Sequence, residues 1–214
     1  MKLEMYNVKS NGKLITFCGL DGCGKSTQIS HVYNWLSSMG YDIFLTKQPT
    51  DLIRNSSIFR TYMDEEYKGN YNYRTLSLLC AADRLQHTTD TIIKKLNEGK
   101  IVISDRYFYS CIVNLHARGY ESDLWIYDIS KHIPNPDISF FLDISVEKAI
   151  ERVRTRADEK DRYIDIDLQY KLRENYIKIA NENNGVIIST EVDEKSSFKK
   201  IQDTIKKILI LEEI

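Results

Sequence analysis

The hydrophobic residues of this chain fall into five short runs, with longer segments of helical periodicity between them. The runs are rich in β-branched and aromatic residues, which is typical of buried strands. We predict strands at Leu14–Cys18, Asp42–Thr46, Ile101–Ser104, Ile138–Asp143 and Gly185–Ser189. Because helical segments alternate with these strands, the pattern predicts an α/β fold, a five-stranded parallel sheet with helices on both faces.

Between the runs, apolar residues recur every three to four positions, which is the spacing of one helix face. The pattern is weak over Leu52–Tyr62 and longest over Tyr73–Asn97. The other predicted helices are Ser26–Ser38, Phe108–Ala117, Asp123–His132, Val146–Arg156, Asp165–Asn183 and Ser197–Leu211. We find no repeat, low-complexity tract or linker, so residues 1–214 are interpreted as one domain.

A glycine-rich loop joins the first predicted strand to the first predicted helix. Its sequence, GLDGCGKST, matches G-x-x-x-x-G-K-[ST], the phosphate-binding P-loop. Glycines let backbone N–H groups point at phosphate oxygens, and the helix adds its positive N-terminal end. The predicted triphosphate-binding residues are Gly19, Asp21, Gly22, Cys23, Gly24, Lys25, Ser26 and Thr27, with Lys25 reaching the outer phosphates and Ser26 ligating Mg²⁺.

Two further segments follow the carboxyl ends of predicted strands, where ligands bind in open α/β sheets. Asp105-Arg106-Tyr107 follows the third strand; the carboxylate can hold Mg²⁺, and the arginine can grip a phosphate. The alternative is a local Asp–Arg ion pair, and the P-loop favours the functional interpretation. The loop from Lys47 to Asn72, which carries Lys47-Gln48-Pro49-Thr50 at the carboxyl end of the second strand, is a candidate second wall of the site.

Arginines are concentrated between Arg152 and Arg162. At a spacing of two they cannot share one helix face, so we predict a flexible basic flap rather than a packed helix end. A lid of this kind, over about 152–164, can deliver an arginine to a phosphoryl group. Arg84 lies on a charged helix face that, taken alone, is more often solvated than functional.

Composition limits the possible functions. The chain has 30 basic and 31 acidic residues, so no overall field favours nucleic acid or a membrane as partner. The polar N-terminus lacks the apolar core of a signal peptide, and no run has transmembrane length, so we expect a cytoplasmic protein. The four cysteines lack metal-ligand spacing, which argues against a zinc site or a disulfide framework.

Three classes of P-loop protein compete for this sequence. A GTPase-type switch normally carries an N-K-x-D motif, and none occurs here. A deoxynucleoside kinase shares the fold and can also place an acidic-Arg pair after the third strand. A nucleoside monophosphate kinase needs a second set of phosphate-binding groups and a lid with arginines, which Arg84, Arg106 and the 152–162 segment can supply.

Seven segments, in this order, resemble the thymidylate kinase family over nearly the whole chain. They are GLDGCGKST, QPT at 48–50, LLCAADRLQH at 78–87, ISDRYFYS at 103–110, PDISFFLDISVEKAIERVRTR at 136–156, DRY at 161–163 and LRENYIKIA at 172–180. The resemblance implies transfer of the ATP γ-phosphate to a deoxynucleoside 5′-monophosphate, with dTMP giving dTDP, in the presence of Mg²⁺. It also implies a homodimer formed through helices beside the sheet. The apolar face of Tyr73–Asn97 could serve that contact or simply be core.

The resemblance also implies roles for individual residues. Lys25, Ser26 and Thr27 bind the donor phosphates and the metal, and Asp105 supports the metal and the acceptor phosphate. Because the P-loop has Gly22 and Cys23 rather than a basic residue before Gly24, the catalytic arginine is expected in the lid. The catalytic set is therefore Lys25, Asp105, Arg106, and Arg156 or Arg162. The acceptor-binding set is Gln48, Pro49, Cys80, Arg84, Arg106, Tyr107, Ser110 and Asn114.

The chain departs from the family pattern around the acceptor base. Cys80 stands where a phenylalanine usually stacks on the base, and Asn114-Leu115 stands for an aromatic followed by Gln or Thr. Lys47-Gln48-Pro49 replaces the usual Arg-Glu-Pro. Two alternatives therefore stay open: a kinase of the same fold for another deoxynucleoside monophosphate or a deoxynucleoside, and a catalytically silent nucleotide-binding protein.

Overall fold

The computed structural model describes residues 2–63, 71–160 and 163–210, and it contains one sheet of five parallel strands. The strands lie in the order β2-β3-β1-β4-β5. Their bounds are Lys13–Gly19 for β1, Ile43–Lys47 for β2, Ile101–Asp105 for β3, Ile138–Asp143 for β4 and Val186–Ser189 for β5. All five predicted strands are confirmed within a residue or two at each end.

Helices connect the strands and cover the sheet. They are α1 Lys25–Ser38, α2 Asp51–Arg54, α3 Ser57–Met63, α4 Tyr73–His87, α5 Ile93–Asn97, α6 Tyr109–His116, α7 Trp125–Ser130, α8 Val146–Arg154, α9 Ile166–Glu182 and α10 Glu194–Ile210. Helix α1 packs against α10, whereas α6 packs against both α4 and α9. The central strands β1, β3 and β4 are buried along nearly their whole length, as expected for a sheet covered on both faces.

Three helix predictions differ from the structure. The weak 52–62 pattern is two short helices, α2 and α3. The long 73–97 pattern is α4 and α5 joined by a π-helical turn, Thr88–Ile92, where the Thr89 hydroxyl donates to the Leu85 carbonyl and competes with the regular ladder. The predicted flap begins at 152, but residues 152–154 belong to α8, which ends at Arg154, two residues before the end of the predicted helix.

The strand register brings the functional segments together at one edge of the sheet. Phe17 of β1 lies opposite Asp105 of β3, and Lys47 of β2 lies opposite the same residue. On the other side, Gly19 lies opposite Leu142 of β4. The loops after β1, β2 and β3 therefore leave the sheet side by side.

The fold bears on two expectations about partners, a dimer contact through the 73–97 segment and no contact with a membrane. The apolar residues of the 73–97 segment, including Leu76, Ile92 and Leu96, are buried in the core of the chain, while Leu78 is half exposed. Among the described residues, no helix is both long enough and apolar enough to span a membrane.

Candidate active site

The loop between β1 and α1 has the geometry of a phosphate-binding loop. Gly22 and Gly24 have φ angles of 83° and 89°, a left-handed conformation that favours glycine. A Cβ on Gly22 would lie 2.1 Å from the carbonyl oxygen of Ala149 in α8. Glycine is thus required there both for the turn and for close approach. Because α1 begins directly afterwards, its positive end faces the space in front of the loop.

The side chains that follow the loop provide a cation and two hydroxyls. The Lys25 ammonium is 7% exposed and donates to the carbonyl oxygens of Leu20, at 2.7 Å, and Gly19, at 3.2 Å. Ser26 and Thr27 are exposed, and their hydroxyls make no hydrogen bond within the described part of the chain. The ammonium and the hydroxyls are therefore positioned to meet phosphate oxygens and a metal ion.

A cavity of about 320 Å³ opens beside the glycine loop. The loop itself, the end of α8 and the segment between β5 and α10 line it, and its wall includes Gly24, Thr27 and Thr190. This volume lies within the range of small-molecule sites. The cavity is the candidate site for the body of a donor nucleotide.

Two arginines of the predicted lid reach this cavity. Arg152 Nη2 donates to the Thr190 carbonyl oxygen at 3.1 Å, and Arg156 Nη1 lies 3.2 Å from Glu159 Oε1. Arg162, the other candidate for the catalytic arginine, lies outside the described residues. The last turn of α8 and the residues just after it therefore supply a cationic side to the candidate donor cavity, with Arg152 on the helix and Arg156 beyond its end.

On the opposite side of the P-loop, three arginines form a cluster. Burial, together with the charges of Arg106 and Arg84, lowers the pKa of Arg54. Arg84 is 3% exposed, and its buried Nε has no hydrogen-bond partner among the described residues. Guanidinium groups that repel each other and have unused donors are suited to a doubly charged phosphate.

Arg106 joins this cluster to the P-loop. Its Nη1 donates to Gly19 O at 3.1 Å and to Tyr176 Oη at 2.8 Å, and its Nη2 donates to Asp21 Oδ1 at 2.5 Å. Burial disfavours its charge, but Tyr176, Asp21 and Asp105 outweigh burial and hold the pKa of Arg106 well above its usual value. The guanidinium stays charged between the two halves of the site.

Asp105 is the carboxylate of the site. Its Oδ1 is buried without a partner among the described residues, and its Oδ2 lies 3.9 Å from Lys47 Nζ. A buried, unpaired carboxylate oxygen is costly unless a cation or a donor meets it. Oxygen ligands of this kind are those that Mg²⁺ prefers, so Asp105 and the free Ser26 hydroxyl fit that ion.

The loop after β2 is held by a half-buried histidine. Gln48 is fully buried, and its Nε2 donates to His87 Nδ1 at 3.1 Å, while His87 Nε2 lies 2.9 Å from Thr46 Oγ1. Burial lowers the pKa of His87, which favours the neutral ring. Since Nδ1 accepts, the ring proton is on Nε2 and bonds to Thr46.

The remainder of that loop is fixed to α4 and α2. Thr50 donates through its backbone N–H, at 2.8 Å, and its hydroxyl to the Asp83 carboxylate. The Pro49 carbonyl oxygen accepts a hydrogen bond from Arg54 Nε at 2.8 Å. Gln48 therefore helps to fix the loop through His87, and Pro49 orients Arg54 through its carbonyl oxygen.

The other predicted acceptor-site residues lie along α4 and α6. The Cys80 carbonyl oxygen accepts from Arg84 Nη1 at 3.0 Å. Ser110 Oγ lies 3.1 Å from Tyr176 Oη. Asn114 donates to the Ser110 carbonyl oxygen at 2.9 Å and accepts from Arg118 Nη1 at 2.9 Å. Cys80 thus contacts the arginine cluster directly and Ser110 does so through Tyr176, whereas Asn114 bonds to Ser110 and Arg118.

Tyr107 is the predicted residue whose side chain is not brought to the site. It is fully buried, and its hydroxyl donates to the Pro134 carbonyl oxygen at 2.8 Å. Its neighbour Arg106 has a φ of 66°, so the backbone turns sharply at the end of β3. The turn sends the two side chains in different directions, which adjacency in sequence did not reveal.

Comparison with known proteins decides the family. The model of the family described as thymidylate kinase matches residues 17–203. The chain belongs to the thymidylate kinase family. A protein of Pyrococcus horikoshii named "probable thymidylate kinase" is 36% identical over 171 residues, covering 79% of this chain and 83% of that protein. One of the same name from Thermococcus kodakarensis is 38% identical over 167 residues, covering 76% and 81%.

Two residues that contact the site of this thymidylate kinase family member, Arg54 and Tyr176, were not predicted from the sequence. Arg54 ends the four-residue helix α2, which is too short to show periodicity, although a basic residue soon after Pro49 was a usable signal. Tyr176 lies within the predicted helix Asp165–Asn183 and is 5% exposed, so it reads as an ordinary core residue. Its hydroxyl was the overlooked signal, because a buried tyrosine hydroxyl usually has a hydrogen-bond partner.

Proposed function

We propose that this protein transfers the γ-phosphate of ATP to dTMP, giving ADP and dTDP. One observation carries the proposal: Arg106 bonds to Gly19 and Asp21 of the P-loop while it belongs to the cluster of Arg54 and Arg84. A donor triphosphate in front of the loop and an acceptor monophosphate on the cluster would lie next to each other. The names of the relatives support dTMP as the acceptor.

At the donor end, Lys25 exchanges its bonds to Gly19 O and Leu20 O for bonds to phosphate oxygens. Backbone N–H groups between Gly22 and Thr27 hold the same phosphates, and Asp21 and Cys23 shape the loop. The base and ribose of ATP occupy the cavity beside Thr190 and Arg152. The P-loop thereby fixes the γ-phosphorus for in-line attack.

At the acceptor end, Arg54, Arg84 and Arg106 bind the 5′-phosphate of dTMP, and an oxygen of that phosphate attacks the γ-phosphorus. Little covalent assistance is needed, because positioning and charge neutralisation are most of what phosphoryl transfer requires. Arg156 or Arg162 closes over the transferring group and stabilises the charge that develops on its oxygens. Ser110, Asn114 and Cys80 line the remainder of the acceptor site.

Mg²⁺ is the proposed metal, with Ser26 and Asp105 as the residues that hold it, directly or through water. The unpaired Asp105 Oδ1 and the exposed Ser26 hydroxyl support this assignment. When bound, the ion neutralises part of the charge on the β- and γ-phosphates.

We also propose that the protein is a cytoplasmic homodimer, on the strength of its family. Half-exposed Leu78 on α4 is one residue that a partner copy would cover. Light scattering on the purified protein tests the dimer. A monomer at the concentration used for activity would contradict it.

A coupled assay of ADP release with dTMP, dUMP, dCMP, dGMP and dAMP tests the function. We expect acceptor-dependent release with a preference for dTMP. A preference for another monophosphate would favour a kinase of the same fold with a different acceptor, a possibility raised by Cys80 and by the Asn114 amide, which is engaged with Ser110 and Arg118. Absence of release with every acceptor would contradict the proposal.

A further inference from the structure

The orientation of Arg106 is set by contacts on three sides. Its backbone lies in the left-handed region, with φ 66°, and its N–H donates to Phe17 O at 2.8 Å. The guanidinium is bonded to the Gly19 carbonyl oxygen and to Asp21, both from the P-loop. The third contact is with the hydroxyl of Tyr176 in α9, which is 70 positions away in the sequence.

The direction of the hydrogen bonds at Tyr176 follows from the chemistry of the groups. An arginine only donates, so Tyr176 Oη accepts from Arg106 Nη1 at 2.8 Å. Ser110 Oγ lies 3.1 Å from the same oxygen, and either hydroxyl can donate to the other. The result is a chain in which Arg106 donates to Tyr176 and Tyr176 shares a hydrogen bond with Ser110, joining the end of β3 to α9 and α6.

The surroundings keep Tyr176 neutral and fixed. It is 5% exposed, burial raises its pKa, and its ring lies 6.5 Å from that of Phe141. One turn earlier in α9, Arg173 binds both carboxylate oxygens of Asp143, at 2.7 and 3.0 Å. Helix α9 is thus anchored to the carboxyl edge of the sheet. The hydroxyl of Tyr176 therefore has a fixed position relative to Arg106.

We infer that Tyr176 is the positioning residue for Arg106 in phosphoryl transfer, an inference that rests on the proposed function. Asp21 attracts the guanidinium toward the donor loop. The Tyr176 hydroxyl, together with the Gly19 carbonyl oxygen, holds Nη1 and so fixes the plane of the guanidinium. Without the hydroxyl, Arg106 keeps its charge and its bonds to Asp21 and Gly19 but loses the contact that fixes this plane, so it binds the acceptor phosphate less well.

Tyr176→Phe tests the inference, with Tyr109→Phe as the matched control. Tyr109 is also buried, also packs on Phe141, and bonds through its hydroxyl to Ser139, away from the arginines. We expect Tyr176→Phe to lower kcat/KM for dTMP about tenfold, the effect of one hydrogen bond to a charged group. Its KM for ATP and its melting temperature should match those of Tyr109→Phe. An equal effect of both substitutions on kcat/KM for dTMP would overturn the inference.

Ser110→Ala provides a second variant if Tyr176→Phe folds poorly. Removing the Ser110 hydroxyl, which bonds to Tyr176, should weaken the same chain and lower kcat/KM for dTMP less than tenfold, with KM for ATP unchanged. In the double variant the two losses should be clearly less than additive, because both act on Arg106. Additive losses would contradict the inference. Inactivity of the unmodified protein with every acceptor would instead contradict the proposed function itself.

Discussion

The proposed donor end of the site is built mainly from backbone groups, whereas the proposed acceptor end is built from side chains. At the donor end, two left-handed glycines and the first turn of α1 provide N–H groups in a fixed arrangement. At the acceptor end, the guanidinium groups of Arg54, Arg84 and Arg106 come from three different elements. Their positions depend on hydrogen bonds to Pro49, Cys80 and Tyr176.

This difference explains which end keeps the family pattern. A backbone cradle requires glycine wherever a Cβ would collide or the φ angle is positive, so its sequence has little freedom. A pocket of side chains can exchange one residue for another and still bind a phosphate. The P-loop matches its motif, while Cys80, Asn114 and Gln48, the departures expected from the resemblance, belong to the proposed acceptor end.

The largest effect is expected from Lys25→Ala at the donor end. Loss of the ammonium that meets the transferring phosphate should lower kcat by about 10² to 10³-fold. Initial rates at saturating ATP and dTMP measure this loss. Lys131→Ala, which removes an exposed lysine paired with Asp128, is the control and should retain full activity.

A glycine pair tests whether the donor end depends on close backbone approach. Gly22 and Gly119 have φ angles of 83° and 85°, but a Cβ would meet the Ala149 oxygen at 2.1 Å in the first and nothing within 4 Å in the second. Both alanine variants should lose about 1–2 kcal/mol from the strained φ.

Gly22→Ala should in addition displace the loop from α8 and raise the KM for ATP at least tenfold, whereas Gly119→Ala should leave that KM unchanged. Thermal melting and ATP titrations of the two variants make the comparison. Equal KM values for ATP would mean that the contact with α8 does not shape the loop.

Lowering the pH should have a smaller effect, on protein stability, through His87 beside the proposed acceptor end. Burial lowers the pKa of His87 below its unfolded value of 6.5, so the unfolded chain takes up the proton first as the pH falls. The stability contributed by neutral His87 is therefore complete above pH 6.5 and is lost as the pH falls toward the folded-state pKa. The melting temperature should drop by a few degrees across that window.

His87→Asn should flatten this drop and also raise the KM for dTMP, because His87 holds Gln48 and Thr46. His116 is a matched control, since burial lowers its pKa as well and it bonds to Tyr127 away from the arginines. His116→Asn should flatten the melting profile without changing the KM for dTMP. A changed KM in both variants would show that the effect is not local to the β2 loop.

The fold could be predicted largely from the sequence because its signals are local. Each strand is a compact apolar run, and each long helix has a periodic face, so the five strands and the parallel sheet are confirmed. The predictions failed where a signal was short or interrupted. Helix α2 has only four residues, and the π-helical turn at Thr88–Ile92 does not change the apolar spacing enough to be recognised.

The site could be predicted only in part for a related reason. The P-loop residues are consecutive, so one motif contains them all. Arg54 and Tyr176 are separated from Arg106 by 52 and 70 positions, and only the packing of α2 and α9 brings them to it. Tyr107 shows the opposite case, a neighbour in sequence whose side chain lies in the core.

Two-substrate kinetics of Arg54→Ala tests the central contrast most directly. The three-arginine cluster predicts that the KM for dTMP rises about 10- to 100-fold, since a hydrogen bond to a charged group is lost, while the KM for ATP stays within twofold. Arg60→Ala, which removes an exposed arginine of α3 bonded to Asn55 in the turn after α2, should change neither constant. A rise in the KM for ATP with an unchanged KM for dTMP would contradict the division of the site into a backbone-built donor end and an arginine-built acceptor end.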